Sequence, residues 1–161
     1  MNLKIFAVFL GVTLVITVII YFYAAKFSPT DKKATVEINE KKFFVNVLDT
    51  ANARAKGLSG REKLNENEGM LFIFDGPGNY GFWMKDMKFP IDIIWIKENK
   101  IVGFEENIDP QIGASEFSLK LYYPPEPVKH VLEVKAGIVS EAGFKIGDEI
   151  RYNKINGKDS N

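Results

Sequence analysis

Apolar positions along this chain fall into three kinds of pattern. Residues 5–25 form one apolar run without a charged side chain. From residue 34 onward, short runs either alternate with polar residues or stay apolar on both faces. Residues 109–127 follow no period, which predicts a long loop. "ATVEI" (34–38) and "KKFFVNVL" (41–48) read as two strands around a turn at Asn39–Lys41. "DTANARAKG" (49–57) predicts a short helix, capped by Asp49 or Thr50 and ended by Gly57. "GMLFIF" (69–74) is apolar at both parities, as a central strand should be. "GFWMK" (81–85) predicts a further strand, and "PIDIIWI" (90–96) with "KIVGFEENI" (100–108) a hairpin through Glu98–Asn99. "VKHVLEVK" (128–135) reads as a strand, "AGIVSEAG" (136–143) as a short helix ended by Gly143, and "DEIRYN" (148–153) as a last strand. About eight strands and two short helices make an α+β fold, mainly antiparallel β, as a curled sheet or partial barrel.

The run at 5–25 is roughly 31 Å long as a helix, enough to cross a bilayer core. Tyr21 and Tyr23 stand near its end, where interfacial aromatic residues are favoured. The run exceeds the usual core of a cleaved leader, no clean A-x-A cleavage site follows it, and the lack of cysteine excludes a lipoprotein anchor. An uncleaved transmembrane anchor and short tether are therefore expected at 1–33, a single compact β-rich domain at 34–153, and a polar tail at 154–161. Lys26, Lys32 and Lys33 after the span oppose Lys4 before it, so counting positive charges weakly favours a cytoplasmic domain. That rule loses force when a whole domain follows the span.

Composition narrows the chemistry. The chain carries 21 basic and 21 acidic side chains. Setting aside Lys4 and Lys26 leaves 19 basic residues against 21 acidic ones, so no basic surplus predicts nucleic-acid binding. With no cysteine and a single histidine, His130, disulfides and thiolate catalysis are excluded, and no metal or cofactor is expected. His130 alternates with apolar Val128, Leu132 and Val134 and reads as a structural histidine; Glu133 falls on the opposite face with Lys129 and Val131. A Ser59–His130–Asp92 triad would lack the G-x-S-x-G elbow, since "GLSGR" has the wrong spacing. No catalytic residues are assigned. "YYPPEP" (122–127) is stiff and aromatic, fit either for docking a partner or for returning the chain to the sheet.

One residue in the strand pattern demands a partner. Strand alternation puts Ile91, Ile93 and Trp95 on one face and Asp92, Ile94 and Ile96 on the other. A carboxylate in an apolar row cannot stay unpaired. Arg54 and Arg61 are two of only three arginines here, and arginine suits bidentate pairing at half-buried sites. Asp92 is accordingly expected to be buried, ionised and paired with Arg54 or Arg61. An arginine with donors to spare would then face an anionic or hydroxyl-rich ligand. Trp83 and Met84 could wall such a pocket, with Lys85 beside the tryptophan.

"RAKGLSGREKL", "EGMLFIF", "FWMKDMKFPIDIIWI" and "HVLEVKAGIVSEAGFKIGD" together resemble the widespread prokaryotic family known only as domain-of-unknown-function family 192, over nearly all of 34–153. Arg54, Gly57, Leu58, Arg61, Gly69, Met70, Trp83, Met84, Pro90 and Asp92 fall on its pattern. Ser59 departs from the usual Met, and Asp86–Met87 from the usual Asn-Thr. The resemblance implies a small β-rich domain. Many members carry an N-terminal export signal, which implies that the domain lies outside the cytoplasm. The expected function is thus a membrane-tethered, extracytoplasmic accessory or ligand-binding domain, with Arg54, Arg61, Trp83, Met84, Lys85 and Asp92 as candidate ligand-binding residues. The alternatives are a cell-envelope enzyme using Asp92 with Arg54 or Arg61, with carbohydrate as its candidate substrate, and a structural partner within an envelope complex. Expected partners are the membrane, through residues 5–25, and a small ligand or an envelope protein, but not nucleic acid.

Overall fold

The computed structural model describes residues 32–153, together with the two helical positions Thr13 and Thr17. The span expected at 5–25 lies, those two positions apart, outside the described residues, as does the tail at 154–161. Among the described residues no helix is long and apolar enough to cross a membrane.

Among the described residues seven strands form one mixed sheet: β1 (Lys33–Ile38), β2 (Lys41–Leu48), β3 (Glu68–Gly78), β4 (Ile91–Lys97), β5 (Lys100–Ile108), β6 (Val128–Lys135) and β7 (Ile150–Asn153). Their order is β5-β4-β6-β3-β2-β1-β7. Every pairing is antiparallel except β2 with β3. That exception follows from the connection between them, whose length and helix α1 (Ala51–Lys56) permit a crossover that a tight turn forbids. Thr50 caps α1 by accepting the Ala53 N–H at 3.2 Å. The β4–β5 hairpin turns on Glu98 and Asn99, both left-handed (φ 48° and 62°), the conformation two-residue hairpins favour.

The sheet curls until its edges approach. The Ile150 N–H donates to Asn99 O at 2.8 Å and the Gly147 N–H to Ile101 O at 2.8 Å, tying the start of β5 to the approach to β7. One buried cluster takes residues from all seven strands, among them Ile38, Phe43, Leu71, Ile96, Ile101, Leu132 and Ile150, and so fills the inside of this half-barrel. Helix α2 (Ile138–Ala142) adds Ile138 and Val139 to it. A second cluster covers the outer face, where Met70, Phe72, Ile93, Trp95 and Val131 meet Ala53 and Leu58 from α1 and its following turn.

The strand expected at 81–85 is absent. Phe82 makes a single bridge to Tyr122, with N–H to O distances of 2.9 and 2.8 Å, and the chain then leaves extended geometry. Phe82, Met84 and Met87 instead drop into the outer cluster. The segment covers the sheet rather than extending it, so its apolar residues satisfy burial without a ladder partner. The loop at 109–127 is irregular as expected, apart from a 3-10 turn at Glu116–Ser118 and the bridge at Tyr122.

Candidate functional site

Asp92 is fully buried on the inner face, as the alternation requires, but no arginine meets it. The expected pairing with Arg54 or Arg61 is corrected by the geometry. Three backbone N–H groups supply the partners: Asn107 at 2.8 Å and Gly137 at 3.2 Å to Oδ1, and Val139 at 2.9 Å to Oδ2. Two of these belong to the start of α2, whose own N-cap, Gly137, has no side chain to offer. Asp92 therefore caps that helix from across the fold. The third donor comes from a β-bulge. Opposite Asp92, β5 has two residues where β4 has one, and Asn107 adopts φ 52°, which turns its N–H toward the carboxylate. Asp92 is an architectural residue of the inner face.

The outer face holds a pocket of about 250 Å³ between α1, β3 and the covering segment. Phe72, Phe74, Phe82 and Trp83 give it an apolar wall, and Arg54, Lys56 and Tyr80 contribute polar groups. Phe74 and Tyr80 stack at 3.6 Å with only 6° between their planes, while Tyr80 donates its hydroxyl to Gly76 O at 2.8 Å. The Arg54 guanidinium lies 4.9 Å over Phe74, and its Nη1 donates to Ile73 O at 2.8 Å. Its nearest carboxylate, on exposed Asp75, is 4.0 Å away.

Glu133 reaches into this pocket from the central strand β6. It is only 5% exposed. Its cross-strand neighbours are Met70 on β3 and Ile93 on β4, both apolar. Among the described residues its carboxyl has no hydrogen-bond or ion-pair partner, yet it is not sealed in, since it forms part of the pocket surface. Burial pushes it up from the usual value of 4.5 to about 8. An acid that is neutral at pH 7 can both donate and accept a hydrogen bond.

Of the residues singled out from sequence, Arg54 and Trp83 come together in this pocket. The others are dispersed. Met84 is core. Lys85 lies 5.4 Å over the Trp83 ring but turns to Glu116 at 2.6 Å, outside the pocket. Arg61 lines separate surface grooves with Asn46, and there it helps lower the Glu68 carboxyl, after the hydrogen bonds from Asn65. Asp92 is on the far side of the sheet. The imagined triad is dispersed too: Ser59 Oγ donates to Lys85 O at 2.8 Å, and His130 packs 5.5 Å from the Tyr152 ring inside the barrel. "YYPPEP" divides between the two roles considered for it. Pro124 is buried and Pro125 packs on Gly103, while Tyr123 stays half exposed.

Gly57 ends α1 and begins the pocket rim with φ 48° and ψ −133°, a conformation that only glycine adopts readily. A Cβ there would stand 3.4 Å from the Phe72 ring. Gly57→Ala is expected to lower stability by about 1–3 kcal/mol, the usual cost of holding a side chain in such a region. Urea denaturation of the two proteins checks this, and an unchanged midpoint would show that the turn relaxes freely. Asp86 is left-handed as well (φ 55°), which explains how an Asp can stand where the resemblance implies an Asn: both tolerate this conformation.

These features define a class of small, curled, mixed-sheet domain with an acid-floored pocket on its outer face. Residues 34–152 match the DUF192 family model, described as an uncharacterized ACR family, and the chain belongs to that family. Among solved structures it is similar to a protein of unknown function from Novosphingobium aromaticivorans DSM 12444, with 27% identity and a TM-score of 0.65 over 74% of this chain and 83% of that one. It is also similar to a candidate transcription regulator from Sinorhizobium meliloti 1021, with 26% identity and a TM-score of 0.65 over 75% of this chain and 92% of that one. No curated protein sequence matches it.

Proposed function

We propose that this chain is a membrane-tethered, extracytoplasmic binding domain that holds a small ligand in the pocket beneath α1. The observation that carries the reading is Glu133. A buried carboxyl without a protein partner is costly, and it stands at the surface of an aromatic pocket rather than in packed core. The tether rests on the charge-free run at 5–25. An enzyme built on Asp92 with Arg54 or Arg61 lacks support, because Asp92 and Arg54 act on opposite faces of the sheet.

Two measurements test this. Ala55 is exposed on α1 at the pocket mouth, so Ala55→Trp should fill the opening and leave the core intact. Small molecules that bind the full-length protein in a ligand-observed NMR screen should lose binding to that variant. Hits that persist would place binding elsewhere. A periplasm-type reporter fused after Asn161 should be active, and activity only of a cytoplasmic reporter would reverse the topology.

A further inference from the structure

We infer that the pocket's occupant is a small carboxylate-bearing molecule, gripped by the Arg54 guanidinium at the wall and by the Glu133 carboxyl as hydrogen-bond donor. This rests on the binding reading above and adds the ligand's chemistry. The fixed charges of the lining are basic, from Arg54 and Lys56, and Glu133 is its single acid. A cationic ligand would meet both bases. Arg54 has five N–H donors, of which one has a hydrogen-bond acceptor in the fold. Its position over Phe74 and its bond to Ile73 O hold the guanidinium in place, and its free N–H groups suit a planar bidentate acceptor such as a carboxylate.

Glu133 decides between acceptor and donor ligands. Met70 and Ile93 flank it with apolar groups, so nothing on β3 or β4 holds a negative charge in place. Arg54, Lys56 and Tyr80 are the titratable groups on the covering elements. Lys129 and Lys135 share its side of β6 but are exposed, and Lys135 turns toward Glu66 at 3.5 Å. The protonated carboxyl donates to an anionic oxygen, whereas the ionised form repels it. The apolar wall of Phe72, Phe82 and Trp83 then receives the body of the ligand.

Benzoate, benzamide and benzylamine share one ring and differ in the charge of the head group. Binding of each to the full-length protein is measured from about pH 6 to about pH 9, which brackets the ionisation of a carboxyl raised this far. Benzoate is expected to bind at least tenfold more tightly than the other two near pH 6. Its affinity should fall roughly tenfold per pH unit once Glu133 ionises. In Glu133→Gln the amide still donates, so benzoate binding persists and the fall with pH disappears. Arg54→Lys, which keeps the charge but not the bidentate fork, should weaken benzoate and leave benzamide nearly unchanged. Preference for benzylamine, or benzoate affinity that rises with pH, overturns the inference and makes the site a cation pocket. Equal binding of benzoate and benzamide, lost in Ala55→Trp, overturns the carboxylate assignment while leaving the pocket standing. If none of the three binds, or if binding survives Ala55→Trp, the pocket reading itself fails.

Discussion

Asp92→Ala is expected to destabilise the domain by on the order of 3–6 kcal/mol. The substitution strips the partner from three N–H groups, those of Asn107, Gly137 and Val139. Each buried donor left without an acceptor costs about 1–3 kcal/mol. Asp92→Asn should cost less, on the order of 1–3 kcal/mol. One oxygen can still serve Asn107 and Gly137, but the amide must face the Val139 N–H. The loss should be local before it is global. Amides at the start of α2 and at the β5 bulge should lose hydrogen-exchange protection first, because the carboxylate joins those two elements. A pairing with Arg54 predicts something else: the double variant would recover stability. The geometry predicts additivity between Asp92 and Arg54 substitutions, since the two residues share no partner. A coupling energy above about 1 kcal/mol in that double-mutant cycle would restore the ion pair and contradict the assignment.

The sequence carries most of this fold in its periodicities, and the places where it misleads have a common cause. Strand alternation correctly sends Asp92 inward with Ile94 and Ile96, and the hairpin residues Glu98 and Asn99 are legible as a turn. Residues 81–85 look like a strand because Phe82 and Met84 alternate with Trp83 and Lys85. Whether such a segment joins a sheet depends on a free neighbouring edge, and only Tyr122 is on offer. Asp92's partners escape because a backbone N–H has no letter of its own. The residue types point to arginine, while the bulge at Asn107 and the helix start at Gly137 supply the donors instead. Glu133 is hidden for the opposite reason. In "VKHVLEVK" it alternates with Lys129 and Lys135, which marks a solvent face. Alternation identifies the face but not what covers it, and here α1 and residues 80–87 close over Glu133 while the lysines stay outside. The signal was a glutamate on a strand otherwise apolar at its centre. Arg54 and Trp83 do line one pocket, but the sequence led to Arg54 through the pairing with Asp92 that the geometry corrects; what holds is the residue type, a scarce arginine beside a tryptophan.

Glu133→Gln is expected to make the protein more stable above neutral pH and to flatten its stability profile. The folded carboxyl is raised to about 8 by burial, against a usual value of 4.5. Between those values the unfolded chain releases the proton and the folded chain retains it. Stability is therefore full below about pH 4.5 and falls as pH rises through about 8. The difference corresponds to a loss of up to about 5 kcal/mol, an upper figure because water entering the pocket would soften it. His130 works in the other direction. Burial holds it below its usual 6.5, with Lys129 contributing, so it removes stability only as pH falls beneath that value. Burial pushes the Tyr152 hydroxyl up as well, but that group titrates only at more alkaline pH. The limb between about pH 4.5 and about 8 thus belongs to Glu133. Chemical denaturation across the pH range, followed through the near-ultraviolet signal of buried Trp95, reads both proteins. In the glutamine variant the decline between about pH 4.5 and about 8 should vanish, and at about pH 9 it should outlast the wild type by several kcal/mol. A wild-type profile flat to that pH would mean that a counter-charge stabilises the carboxylate, and the donor role assigned to Glu133 would fall with it. If the limb is present, the acid weakens its own fold at a position where glutamine or leucine would strengthen it. A side chain that opposes folding while facing a pocket belongs with the groups that proteins keep for binding at a cost in stability.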